Sequence, residues 1–230
     1  MRGGNRNVNH EQQYIAVIPH VQEVIVVGAA DLNFWRAHLQ RADLFPFNAN
    51  GNAQITVSAT QFKWSGLCAR ELVISLAVCK RATEDARDGA YLIHAFNASR
   101  VLAFAERAFF QTPYAWGDTK INAHLPASVA FDDGAGARLR AQMLGASARL
   151  RVANELWEGT VFLPDARNIF FGKLGGQTQV YPFAATDEFE IQTSNRAPVF
   201  EWLTESRFTP QEWWVRTDAT HARSKTFKRI

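Results

Sequence analysis

A-Q-I-T-V-S-A at Ala53–Ala59, E-L-V-I-S-L-A-V-C at Glu71–Cys79 and G-A-Y-L-I-H-A-F at Gly89–Phe96 are the runs on which the fold of this chain turns. In the first, Ile55 and Val57 fall on one side and Gln54, Thr56 and Ser58 on the other, the period of two of a half-buried strand. The other two are apolar almost throughout, as in strands covered on both faces. Toward the N-terminus, Tyr14–Ile18 and Glu23–Val27 are short β-rich runs split by Pro19. Toward the C-terminus, strands are predicted at Tyr114–Leu125, Ala137–Leu144, Ala148–Asn154, Thr160–Leu163, Ile169–Phe171, Thr178–Phe183, Phe189–Thr193 and Glu212–Thr217. Asp132-Asp133-Gly134 and Leu174-Gly175-Gly176 supply turn chemistry between them.

Few segments carry the helical period. Asp31 can cap Leu32–Arg41, where Leu32, Trp35 and Leu39 form one stripe. Asn97 can cap a second helix running to about Phe110, with Val101, Ala105 and Ala108 on one face, and Pro113 bars its continuation. A third, short helix is predicted at Val199–Glu205. The fold class is therefore α+β, dominated by antiparallel strands.

Composition fits that reading. Of 230 residues, 47% are apolar and 20% charged, the balance of an ordinary globular protein. One domain is expected over residues 14–217, with polar, flexible tails at 1–13 and 218–230. No apolar run approaches the roughly 18–20 residues that cross a bilayer, and the polar N-terminus has no signal-peptide core, so no membrane partner and a cytoplasmic location are expected. The net charge of +3 is concentrated in Arg216, Arg223, Lys225, Lys228 and Arg229 near the end of the chain, which argues against a nucleic-acid partner. Cys68 and Cys79 read as reduced thiols. With no CxxC, HxxxH or HExxH, local spacing supports neither a metal nor a cofactor. Exposed sheet edges leave room for a homo-oligomer.

A longer pattern joins these runs. Trp64-Ser65-Gly66-Leu67, Arg70-Glu71-Leu72-Val73, Gly89-Ala90-Tyr91-Leu92, Asn97, Arg107 and Thr112-Pro113-Tyr114 follow one another in an order that resembles the acetoacetate decarboxylase-like superfamily. There, a Ser-Gly-Leu loop leads into a strand bearing a glutamate, a Gly-Asp/Val-Tyr strand follows, and a helix places an arginine six residues before a proline, the spacing of Arg107 and Pro113. The resemblance covers roughly residues 20 to 145. It implies a strongly curved, barrel-like sheet enclosing an apolar pocket, with a few helices outside.

The same resemblance exposes a departure. In the decarboxylases two lysines follow the proline, the second forming an imine with the keto group and the first helping to lower its pKa. An amine attacks a carbonyl only when neutral, and acetoacetate decarboxylase is itself the known case of such an amine activated by its surroundings. Here the two positions are Tyr114 and Ala115, and neither side chain forms an imine. Lys120 matches a later lysine without a nucleophilic role, and on a regular strand it points away from the face of residue 115. Imine-based decarboxylation is not expected.

The resemblance assigns Glu71 to the pocket, either as an acid or base whose pKa is raised by apolar surroundings or as a structural partner of Arg70 or Arg107. The second acidic position of the family falls at Thr56. His94 is read as a core histidine or a catalytic helper, and Tyr114 as a donor to a carbonyl or an aromatic wall. Trp116 and Trp64 read as packing or pocket lining, while Arg107 reads as a structural ion pair or a binder of a substrate carboxylate. Asp118 and Lys120 share one strand face that meets either solvent or the pocket. Ser65 lacks the Gly-x-Ser-x-Gly elbow of a serine hydrolase.

The expected function is acid/base chemistry by Glu71, Tyr114 and His94 on a small or medium apolar carbonyl or enol compound, of lyase, isomerase or cyclase type. Arg107, Trp116, Lys120 and Thr56 would serve binding. The alternatives are a module that binds a small molecule without turning it over, and a protein whose pocket is filled by its own aromatic side chains.

Overall fold

The computed structural model describes residues 13–64, 66–82, 87–145, 148, 150–165 and 167–229. Ser65, and with it the serine of the Ser-Gly-Leu loop, lies outside them, as do residues 1–12 of the expected N-terminal tail.

Pro19 does not end the first strand. β1 runs unbroken over Tyr14–Asp31, and the proline is absorbed by an irregularity at which His20 takes a positive φ of 57° and the pairing register slips between Ile18 and Val21. Asp31 then caps α1 (Leu32–Leu39), its Oδ1 accepting from the Phe34 amide at 2.8 Å, and Leu32, Trp35 and Leu39 are its buried stripe. The short β2 (Phe45–Pro46) and β3 (Asn48–Ala49) lead into the hairpin of β4 (Asn52–Trp64) and β5 (Leu67–Cys79). β6 (Gly89–Asn97) follows.

Asn97 does not cap the next helix; it ends β6. Ser99 caps α2 (Arg100–Phe110) instead, and Val101 and Phe109 of the expected helix stand exposed, with Ala103 the buried residue. The predicted strand at Tyr114–Leu125 is two strands in different sheets, β7 (Tyr114–Trp116) and β8 (Asp118–Asn122). β9 (Ser128–Asp132), which the sequence reading missed, and β10 (Arg138–Gln142) come next.

Four predicted strands merge into the long β11 (Arg151–Phe162) and β12 (Asn168–Pro182), because the polar and glycine residues that seemed to interrupt them lie within the ladder. The chain ends with β13 (Glu188–Gln192), α3 (Pro198–Glu205), β14 (Thr209–Ser224) and β15 (Phe227–Lys228). The expected C-terminal tail is thus corrected: Asp218–Ser224 continue β14, paired with β1 and β12.

Strands β5, β4, β1, β14, β12, β11 and β6 are hydrogen-bonded in that order, and β6 returns to β5, so the sheet closes into a ring of seven. The pairings are antiparallel except at β6–β11 within the ring and β6–β7 beside it. A second, antiparallel sheet, β13-β10-β9-β8, packs outside with α1 and α3. The main core lies between this layer and the outer face of β1, β4 and β5: Leu72, Ile74, Leu76 and Val78 of β5 meet Phe131, Leu139 and Phe200 there, all buried. β5 is not packed on both faces as its sequence suggested. Its alternate residues Glu71, Val73, Ser75 and Ala77 face a hollow inside the ring.

Candidate active site

The hollow has a volume of about 880 Å³, within the range of sites for small organic molecules. Strand register sets its polar belt. Arg216 of β14 is level with Glu23 of β1, Glu23 with Thr60 of β4, Thr60 with Glu71 of β5, and Glu71 with Asn97 of β6. Five adjoining strands therefore present one polar side chain each to the same level of the interior. Farther along β4 and β5, Thr56 and Ser75 share a hydrogen bond of 2.7 Å between hydroxyls. Apolar side chains, among them Phe62, Leu102, Trp157, Phe170 and Trp214, line the rest.

Glu71 accepts from Asn97 Nδ2 at 2.8 Å on one carboxylate oxygen and from Tyr114 Oη at 3.0 Å on the other. Burial disfavours its anion and the nearby charge of Glu106 disfavours it further, outweighing both hydrogen bonds and the charge of His221, so its pKa rises to about 7. The carboxyl is thus near half-protonation at neutral pH. Burial, with the Glu71 and Glu106 charges, pushes the Tyr114 phenol well above its ordinary range, which keeps it a donor.

Glu106 is itself held on α2 by Arg223, whose Nη1 donates to both carboxylate oxygens at 2.8 and 2.7 Å, and by the Thr112 hydroxyl at 2.8 Å. The Arg223 guanidinium stacks between the rings of Phe110 and Phe170, 4.6 and 4.5 Å from their centroids.

A second carboxylate lies one strand beyond Thr60. Glu23 accepts from Ser58 Oγ at 2.8 Å and Arg216 Nη1 at 3.2 Å, and His221 Nε2 stands 3.4 Å from the same oxygen as the arginine. Arg216 Nε donates to Thr178 Oγ1 at 2.7 Å. Burial alone would raise the pKa of Glu23, but His221, Arg216 and the Ser58 hydroxyl together hold it down at about 2. Of the carboxyls lining the cavity, Glu71 is therefore poised to exchange a proton near neutrality and Glu23 is fixed as an anion.

Of the residues singled out in the sequence, Glu71, Tyr114, Thr56 and Trp64 line the cavity. His94 does not. The pairing of β5 with β6 slips by one residue between Ile74–His94 and Ser75–Leu92, so Leu92 faces the cavity while His94 turns toward Phe96, 4.6 Å between ring centroids. Burial lowers its pKa to about 4, and Nε2 has no hydrogen-bond partner among the described residues. Arg107 is exposed on α2, and it is Arg223 that pairs with Glu106. Arg70 pairs with Asp118 rather than Glu71. Trp116 lies outside the cavity under Arg100, its Nε1 donating to the Ala98 carbonyl at 3.2 Å. Lys120 is exposed on β8.

Of the two positions after Pro113, Tyr114 faces the hollow and Ala115 packs toward the core, so the position to which the resemblance assigned the imine-forming amine does not line the cavity. Among the described residues, no lysine lines the cavity.

Sequence reasoning missed Glu23, Asn97 as a pocket residue, Glu106, Arg216, His221 and Arg223. Three of these sit in β14, where Arg216 and His221 are five positions apart and would face opposite sides of a regular strand. A one-residue slip between Arg216 and Ala219, opposite Glu23 and Val21, brings both inside. The available signal was the pairing of a glutamate inside the β-rich run Glu23–Val27 with an arginine inside the run Glu212–Thr217, since buried charges come in partners. Among the described residues, no group of three or more His, Cys, Asp or Glu side chains could hold a metal ion.

Comparison with known proteins yields no matching family model and no matching curated protein. Solved structures do match. An acetoacetate decarboxylase from Legionella pneumophila aligns over 95% of this chain and 89% of its own with a TM-score of 0.62 at 9% identity. The enduracididine biosynthesis enzyme MppR, complexed with pyruvate, aligns over 96% and 93% with a TM-score of 0.61 at 11% identity. An acetoacetate decarboxylase-like enzyme from Sphingomonas wittichii RW1 aligns over 93% and 92% with a TM-score of 0.57 at 11% identity. At such identities the likeness is one of backbone architecture, and the architecture of this chain is the acetoacetate decarboxylase-like fold.

Proposed function

We propose that this protein is an enzyme that moves protons next to the carbonyl of a small or medium, largely apolar carbonyl or enol compound, without forming an imine. The observation that carries the reading is Glu71, a buried carboxyl with a pKa near 7, in a cavity that no lysine lines among the described residues. Proton transfer beside a carbonyl requires an acid or base titrating near the working pH and a donor toward the oxygen on which charge develops. Glu71 is the first and the Tyr114 hydroxyl, 3.0 Å from it, the second. A carbonyl oxygen bound between them receives the phenol hydrogen bond and the Glu71 proton as electrons shift onto it, while the proton on the neighbouring carbon passes to a base, a second side chain of the cavity or solvent. Lyase, isomerase and cyclase reactions of enols share that step. Pyruvate and acetoacetate, named with the similar structures, are small oxo acids of related chemistry.

Two measurements test this. Borohydride reduction in the presence of acetoacetate or pyruvate, followed by intact-mass analysis, is expected to leave the protein unmodified. A reduced adduct on any lysine would overturn the imine-free mechanism. In a screen of enolisable ketones, Glu71→Gln is expected to lower turnover at least ~100-fold with the fold retained. Binding with no turnover of any compound would mark a binding module instead.

A further inference from the structure

The interior holds a second group able to carry a proton, on the strand that the sequence reading left partly in a tail. His221 lines the cavity with its side chain 20% exposed, while the two residues behind it, Glu23 and Arg216, are 2% and 3% exposed. Glu23 is a carboxylate with acceptor oxygens only, so the contact of 3.4 Å to Nε2 requires the imidazole proton on that nitrogen. In the neutral imidazole the lone pair is then on Nδ1, which makes no hydrogen bond among the described residues. Ser58 and Arg216 fix Glu23, and Thr178 fixes Arg216, so the imidazole is held through a chain of partners. Glu71 lines the same cavity. The charged groups lining the cavity with His221 are Glu23 on β1, Glu71 on β5, Glu106 on α2, Arg151 on β11, Glu212, Arg216 and Arg223 on its own strand, and Arg87.

We propose that His221 is the second proton-carrying residue of this cavity, positioned by Glu23 and working with Glu71 on one substrate, so that the reaction is a proton shift between two atoms of an enolisable compound. This rests on the acid/base reading of Glu71 and extends it to a reaction class. In the forward step Nδ1 takes a proton from the carbon beside the carbonyl, the C–H electron pair becomes the C=C bond, and the carbonyl π pair takes the proton of Glu71. The products are an enol, an imidazolium beside the Glu23 carboxylate, and an ionised Glu71. Return of the enol proton to Glu71 and of the imidazolium proton to carbon restores both groups. Delivery to the original carbon gives exchange with solvent, and delivery to a conjugated carbon gives an isomer. An anionic partner stabilises the imidazolium formed on the way, the use to which fixed carboxylates are put beside catalytic histidines.

The test uses 4-phenylbutan-2-one as probe in deuterium oxide, with loss of the proton signals beside the carbonyl followed by NMR. The intact protein is expected to accelerate exchange over buffer. His221→Ala should lose at least ~10-fold of that acceleration and regain it when imidazole is added to the solution, which a purely structural histidine would not do. His221→Gln, which can still donate to Glu23 but cannot take a proton, should lose as much without rescue and covers the case in which the alanine variant fails to fold. Glu71→Gln should also lose exchange, with no response to imidazole, and His94→Gln should keep it. Exchange at the normal rate in both His221 variants, with Glu71→Gln inactive, would overturn the assignment of His221 and leave Glu71 standing. Normal exchange in Glu71→Gln would overturn the reading of Glu71, and no acceleration by the intact protein would overturn both.

Discussion

Glu71 and Glu23 sit two strands apart at one level of the same cavity, and they make opposite demands on the folded state. Glu71 binds its proton more tightly folded than unfolded, with a pKa of about 7 against 4.5. Relative to the unfolded chain the native state therefore loses stability as pH rises from about 4.5 to 7, and the whole penalty is present above 7. Glu71→Gln removes it. In paired thermal melts the variant should gain on the parent between pH 5 and pH 8, by on the order of 2–3 kcal/mol at most. Glu23, at about 2, does the reverse: its contribution is present above about 4.5 and lost as pH falls toward 2. Glu23→Gln removes a buried counter-charge of Arg216 and should cost about 3–5 kcal/mol at neutral pH by denaturant titration.

Strands, rather than single residues, decide what faces the cavity. Gly176 of β12 lies where the pairing of β12 with β14 slips, at a φ of 137°, and a Cβ there would come within 3.1 Å of the Ala219 Cα and the Asp218 carbonyl. The same stretch of β14 contains the slip that turns both Arg216 and His221 inward. Gly176→Ala should therefore destabilise the protein by about 1–3 kcal/mol and lower activity beyond what the stability loss explains. Such slips also mark the limit of what the sequence discloses. The alternation of Ile55 and Val57 with Thr56 and Ser58 survives into β4 unchanged, because β4 pairs regularly with both neighbours, and Thr56 faces the cavity as its parity requires. His94 fails because its strand carries an extra residue opposite β5, and no local pattern announces that. Arg216 and Arg223 read as part of a basic C-terminal stretch, and His221 as part of a tail, because their partners lie nearly two hundred positions earlier, in β1, or in α2. Glu71 and Tyr114 were legible only through the order of short motifs around them.

The cavity exists because the ring of strands closes. At one seam β6 meets β11 in parallel over only three residue pairs, Gly89–Thr160 to Tyr91–Phe162, and a Cβ on Gly89 would come within 2.1 Å of the Thr160 carbonyl oxygen. Gly89→Val should part this seam, with a fall in Tm corresponding to about 2–4 kcal/mol and loss of ligand binding before global unfolding. Packing outside the ring, where Phe96, Phe131 and Phe200 stack between the sheets, leaves the interior to polar groups. Burial in this largely apolar interior, with the charge of Glu106, is also what holds the proton on Glu71. Selective carbon-13 labelling of the glutamate carboxyls, with the Glu71 signal identified by its absence in Glu71→Gln, lets that proton be followed by NMR from pH 4 to pH 9. A midpoint near 7, well apart from the exposed glutamates, is the expected result, and a midpoint near 4.5 would contradict the account of this cavity as an acid/base site.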